Sequence, residues 1–343
     1  MTFPIRTGLL GAAATIALAG GAWAQDVTLR LHQFLPEQAP VPSQVLVPWM
    51  ERVTEASDGR IAFEHYPAMQ LGGRPPELVD QVIDGVADVV WTLPGYTPGR
   101  FPRSEVFELP FLMTDAESTS RALWQLFEDG AFEDEFAGMK VLGLWVHGPG
   151  VIHSDVPVTE VGDMQGLNLR TPTRVTGQLI GALGGNPVGM PVPQVAESLT
   201  RGVIDGAIIP WEVTGAIRSS ELVSNHTEFP DEALYTAVFL LAMNQGVYDG
   251  LPDDLKAVID ENSGLEFSGN AGATTQAADA GPRQMAVDNG NNVIELTSEQ
   301  AQAWKDAAQP TVDAWVEETT AAGLDGQGLL DAARAAIESS AAQ

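Results

Sequence analysis

Gly85-Val86-Ala87-Asp88 and Gly202-Val203-Ile204-Asp205 are the two stretches on which the fold turns. Each follows apolar residues at helical spacing: Leu78, Val79, Val82 and Ile83 before the first, Val195 and Leu199 before the second. Each leads into a short apolar run, 88–92 and 205–209, with the character of a buried strand. The glycine can take the left-handed conformation that stops a helix, and the aspartate opens the strand. One helix–turn–strand unit used twice predicts two lobes of the same winding, with a cleft where the strand carboxyl ends converge.

Outward from the first unit, Val27–His32 alternates with period two and runs into a loop over 33–42. Val45, Leu46, Trp49, Met50 and Val53 predict a helix that Pro48 delays or kinks. Strands are predicted at 61–66 and 141–146 and a helix over 116–127. Around the second unit come a strand at 167–170, a helix through Val175, Leu179, Ile180 and Leu183, and a strand at 187–190. This alternation predicts an α/β fold with mostly parallel sheets. From 253 to 290 the helical pattern is weak and interrupted by glycine; 293–296 reads as a strand. Thr297 with Gln300 forms a capping box for a helix carrying Trp304 and Trp315, which Pro310 should kink or split. An Ala-rich helix is expected at 329–337.

The chain of 343 residues is long enough for about two domains, and 44% hydrophobic against 18% charged residues is globular composition. Acidic residues outnumber basic ones 46 to 17, for a net charge of −29, and no Lys/Arg cluster could neutralise phosphates. Nucleic acid and anionic membrane surfaces are therefore excluded as partners. The absence of cysteine removes disulfides, thiolate nucleophiles and lipidated cysteine anchors. Residues 1–24 carry Arg6, a Gly/Ala/Leu-rich run and Ala22-Trp23-Ala24, the pattern of a cleaved export signal with an A-x-A site. No later stretch is apolar enough to enter a bilayer, so the expected location is the periplasm.

No catalytic apparatus is legible. His153-Ser154-Asp155 has triad residue types, but neighbours on a strand face opposite ways. His32, His65, His147 and His226 stand singly, without metal-ligand spacing, and no cofactor or metal is assigned. Gly72-Gly73 and Gly184-Gly185 lack the pattern of a phosphate loop and read as turns. Arg170 ends the apolar strand of Gly166-Leu167-Asn168-Leu169-Arg170-Thr171-Pro172. Its planar fork suits a carboxylate in the cleft, and equally an interlobe salt bridge to one of the many acids. Trp211-Glu212 also follows a strand end, where core packing for the indole and a helix N-terminal charge for the carboxylate are the ordinary roles.

Several segments together resemble the DctP-like solute receptors of tripartite ATP-independent periplasmic (TRAP) transporters. They are Tyr66-Pro67-Ala68-Met69-Gln70-Leu71-Gly72, the two Gly-x-x-Asp units, Glu108-Leu109-Pro110-Phe111, Asp163 through Pro172, Gly181 through Pro191, and Met243-Asn244 ahead of Leu251-Pro252. The resemblance implies a two-lobed periplasmic binding protein with an interlobe cleft and a long connecting helix, closing on an organic acid. It also implies delivery to a permease of a small and a large membrane subunit. Lobe one is then 25–148 with a return segment near 235–268, and lobe two is 149–234 with 269–343.

By position, Arg170 matches the arginine that grips the ligand carboxylate, and Pro210 the proline after the second-lobe strand, behind Ile208 and Ile209. A second arginine that some of those receptors carry upstream has no counterpart, since Pro149-Gly150-Val151 occupies the stretch. Some relatives hold a metal ion through a Trp-Glu pair at the position of Trp211-Glu212. The same placement sets Gln33, Phe34, Trp91, Thr92, Tyr96, Arg170, Asn186, Trp211 and Glu212 at the cleft. One cation among several aromatics suits a monocarboxylate with an apolar or aromatic body. The alternatives are a periplasmic sensor feeding a membrane kinase and a periplasmic lyase or hydrolase.

Overall fold

The computed structural model describes residues 26–132 and 134–342; the expected export signal lies outside them. Eleven strands are described: β1 (Val27–His32), β2 (Ile61–Tyr66), β3 (Val89–Thr92), β4 (Met139–Val146), β5 (Val151–Ser154), β6 (Asn168–Thr171), β7 (Asn186–Gly189), β8 (Gly206–Ile209), β9 (Asn225–Glu228), β10 (Val238–Asn244) and β11 (Asn292–Glu295). They form two sheets, in the orders β2-β1-β3-β10-β4 and β11-β9-β5-β8-β6-β7.

The repeated unit is built the same way in both sheets. Gly85 and Gly202 end their helices at φ +74° and +66°, as left-handed stops. The Asp88 carboxylate accepts the Arg30 N–H at 2.8 Å, and Asp88 N–H donates to Arg30 O. The Asp205 carboxylate likewise accepts the Asn168 N–H at 2.7 Å, and Asp205 N–H donates to Asn168 O. Each aspartate therefore ties the start of its strand to the neighbouring parallel strand. The parallel sets β2-β1-β3 and β7-β6-β8 correspond.

The sheets are not parallel throughout, because two strands cross between lobes. The chain leaves the first sheet through β4 and enters the second as β5, antiparallel to β8 and β9. It returns as β10, inserted antiparallel between β3 and β4. Fed from the opposite lobe, these strands must run against their hosts.

Residues 269–343 do not form one block with the second lobe, as the resemblance implied. The helix Leu265–Ala277 packs on the helix Ala116–Glu128 and on β4. The contact is close: a Cβ on Gly272 would lie 2.3 Å from Ser120 Oγ, and one on Gly143 2.4 Å from the Phe267 ring. After a break at Ala278-Asp279, the helix Ala280–Asp288 continues onto the second lobe, against the helix Trp211–Ile217 and β11. The final helix, Gly326–Ala341, returns to Ala116–Glu128. Between them runs the helix Ser298–Ala321, started by the Thr297/Gln300 capping box and unbroken at Pro310. Its two tryptophans hold both halves: Trp304 is buried in the smaller apolar core and Trp315 in the larger. Among the described residues no helix is long and apolar enough to cross a membrane.

If the aspartate tie carries the repeat, Asp205→Ala should lower stability by about 1.5–3 kcal/mol, the range for hydrogen bonds to a charged group. Urea unfolding measures it, and a loss below about 0.5 kcal/mol, the scatter of ordinary surface substitutions, would contradict the tie.

Candidate ligand-binding site

Between the lobes lies a cavity that opens to solvent. Arg170 reaches it from the end of β6 and is only 3% exposed. Its Nε donates to Met190 O at 2.9 Å and its Nη1 to Ile208 O at 3.2 Å. These carbonyls aim the fork without neutralising it. Among the described residues no carboxylate lies within ion-pair distance of Arg170, which removes the interlobe salt-bridge alternative for this residue.

The walls are apolar and largely aromatic. Phe34 stacks on Trp91 at 4.6 Å between ring centroids and meets Tyr96 edge-on at 5.6 Å; Phe239 stands against Trp91 at 5.1 Å. Ile209 and Val213 face them from the second lobe. The remaining polar side chains of the lining are held neutral. Burial pushes His147 down to about 4, assisted by the Arg170 charge. Burial, then the neighbouring Asp279, pushes Glu212 well above the ordinary carboxylate range. Tyr96 and Tyr235 are raised by burial. Arg170 is thus the charge around which the cavity is organised.

Of the residues placed at the cleft from sequence, Phe34, Trp91, Tyr96, Arg170 and Glu212 line this cavity, and Gln33, Thr92, Asn186 and Trp211 do not. The Gln33 amide bonds both backbone groups of Leu35, bracing the loop that presents Phe34. Thr92 is buried with its hydroxyl unpaired. Asn186 begins β7, at the end away from the cleft, and bonds Gly166 O and Asn168. Trp211 and Glu212 are neighbours on a first helical turn, so their side chains diverge by roughly 100°. The indole packs on His153 and His226 and donates to Glu228 at 2.6 Å.

Sequence analysis missed His147 and Tyr235, which flank the crossing strands, Phe239, which lies on β10, and the pairing of His153 with His226 across β5 and β9, 2.7 Å between Nδ1 atoms. The signal available for the first two was Gly148-Pro149-Gly150. A Cβ on Gly150 would lie 2.0 Å from the Tyr235 ring and one on Gly148 2.1 Å from Asp279, so both glycines mark a crossing that only hydrogen fits.

The lobes also touch beside the cavity. Val192 N–H donates to Tyr96 Oη at 3.1 Å. Arg174 pairs with Glu105 of the first lobe and with Glu318 on the helix Ser298–Ala321. A Cβ on Gly95 would meet Thr173 Cγ2 at 2.4 Å. Behind this seam the buried Glu108 accepts Val238 N–H at 3.2 Å and is pushed up to about 8 by burial and by Glu105.

A family described as bacterial extracellular solute-binding protein, family 7 (DctP), matches residues 31–319. The chain belongs to this family. A TRAP solute-binding protein from Rhodoferax ferrireducens, solved with copurified benzoate, is 48% identical, with 92% of this chain and 98% of that one covered and a TM-score of 0.90. A marine metagenome TRAP solute-binding protein specific for aromatic acids, solved with 3-hydroxybenzoate, is 41% identical over 92% and 99%, with a TM-score of 0.90. One from Bordetella bronchiseptica, with bound mandelate, is 29% identical over 91% and 99%, with a TM-score of 0.83. The side chains of the Trp211-Glu212 pair diverge in this solute-binding protein: the indole turns to Glu228, while Glu212 lines the cavity.

Glu108 gives the seam a pH dependence. The folded protein keeps its proton to about pH 8, whereas the unfolded chain releases it near 4.5. The contribution is complete below 4.5 and lost as pH rises to 8. Glu108→Gln should therefore gain stability over the parent between pH 5 and 8, by at most about 1.4 kcal/mol per pH unit, and no further above it. Thermal unfolding of both proteins across that range reads the difference, and a constant offset would contradict the buried acid.

Proposed function

We propose that this chain is the periplasmic receptor of a TRAP transporter and binds an aromatic monocarboxylate in the interlobe cavity, delivering it to the small and large membrane subunits of a permease. The observation that carries this reading is the buried Arg170 fork, aimed by two carbonyls and left without a carboxylate. A buried charge without a partner is costly, and a ligand carboxylate supplies the missing one bidentately. The stacked rings of Phe34 and Trp91 with Phe239 suit a flat apolar body. A second carboxylate would sit unpaired among them, because the other polar groups of the lining are neutral. The ligands of the benzoate, 3-hydroxybenzoate and mandelate receptors have this character.

Arg170→Ala should weaken benzoate binding at least about 100-fold, because the ligand's charge would be buried alone. The melting temperature without ligand should be kept or raised, since an unpaired charge is removed. Calorimetry and thermal unfolding separate this from a structural arginine, for which binding would survive in a destabilised protein. With the parent protein, benzoate should also bind more tightly than succinate, and the opposite ranking would remove the monocarboxylate assignment.

A further inference from the structure

A carboxylate on Arg170 leaves several polar atoms of the lining unaccounted for, among them Trp91 Nε1, Glu212 Oε2, one atom on Tyr235 and a second on His147. The Tyr235 hydroxyl is buried and has no hydrogen-bond partner. It cannot swing away: the ring fills the space that a Gly150 side chain would occupy, Gly150 N–H donates to Tyr235 O at 3.0 Å, and His147 stands edge-on to the ring at 5.4 Å.

His147 supplies the second atom. Its Nδ1 lies 2.6 Å from Gly148 O, and a carbonyl only accepts, so Nδ1 carries the proton. In the neutral ring Nε2 is then an acceptor, and no described residue donates to it. Beside the fork the lining thus offers unused donors on Tyr235 and Trp91 and, on His147, an unused acceptor of fixed tautomer. A carboxylate can take the Tyr235 proton but has none to give His147. A hydroxyl has. Glu212 Oε2 is also unpaired, but a neutral carboxyl can turn its proton to suit either kind of partner, whereas the His147 tautomer is set by Gly148.

Resting on the aromatic-monocarboxylate reading, we propose that the site selects a hydroxylated aromatic acid, with His147 Nε2 accepting the ligand's hydroxyl proton and Tyr235 donating to a ligand oxygen. His147 and Tyr235 are then the residues that separate a hydroxylated acid from its parent, while Arg170 and the stacked rings bind both.

The test is calorimetry on the full chain with benzoate, its three ring-hydroxylated isomers, the fluorobenzoates of the same substitution, phenylacetate and mandelate. At least one hydroxylated acid should bind about tenfold more tightly than its unhydroxylated parent. The matching fluoro compound, similar in size but without a proton, should not share the gain. In His147→Asn, whose amide can keep the bond to Gly148 O but places no acceptor at Nε2, the ratio of the hydroxylated acid's affinity to its parent's, both measured on the same variant, should fall to within about twofold. The fluoro comparison uses the unmodified protein and so stands even if that variant fails to fold. If no acid in the panel binds, the proposed function itself fails. If benzoate binds and no hydroxylated acid exceeds its parent, or the fluoro compound matches the gain, or the preference survives His147→Asn, this inference is overturned.

Discussion

A guanidinium held in an apolar cavity by two backbone carbonyls is an incomplete electrostatic arrangement, and the rest of the molecule is arranged around it. Arg170 is oriented by Met190 O and Ile208 O, so both lone-pair partners come from the second lobe, and the ring walls come chiefly from the first. Neither lobe alone can both pair the charge of a ligand and bury its body. That division gives an anion between the lobes a defined effect: without one the guanidinium is a bare buried cation, and with one it forms an ion pair in low dielectric.

The seam beside the cavity is weak by comparison. The Arg174–Glu105 contact is partly exposed and Tyr96 contributes one hydrogen bond to Val192. Contacts of this kind each contribute little.

Much of this was legible in the residues. The Gly-x-x-Asp units predicted the matching helix stops and strand starts, and Thr297 with Gln300 predicted the capped helix that follows. The helix Leu265–Ala277 was faint for a physical reason: apart from Phe267 its buried positions are Ser268, Gly269, Ala271, Gly272 and Thr275, small residues that hydrophobic periodicity hardly registers. β9 reads Asn-His-Thr-Glu and carries no aliphatic side chain, although it is mostly buried. At the site, the resemblance set Arg170, Trp91 and Phe34 at the cleft and all three line the cavity, while Asn186 lies at the end of its strand away from it and Trp211 turns its indole to Glu228. His147 and Tyr235 belong to crossings between lobes, where pairing is between distant segments and the local sequence marks the crossing only by Gly148-Pro149-Gly150, without naming the partners.

The position of β10 bears on how the molecule comes into being. It lies between β3 and β4, so the first sheet has a gap until residue 244 has been made, and the helix Ala116–Glu128 is covered only when Leu265–Ala277 and then the last helix arrive. Contacts this distant in sequence form late and slowly. A ribosome therefore extrudes most of the polypeptide before either half can mature, and the nascent molecule remains threadable for most of its synthesis.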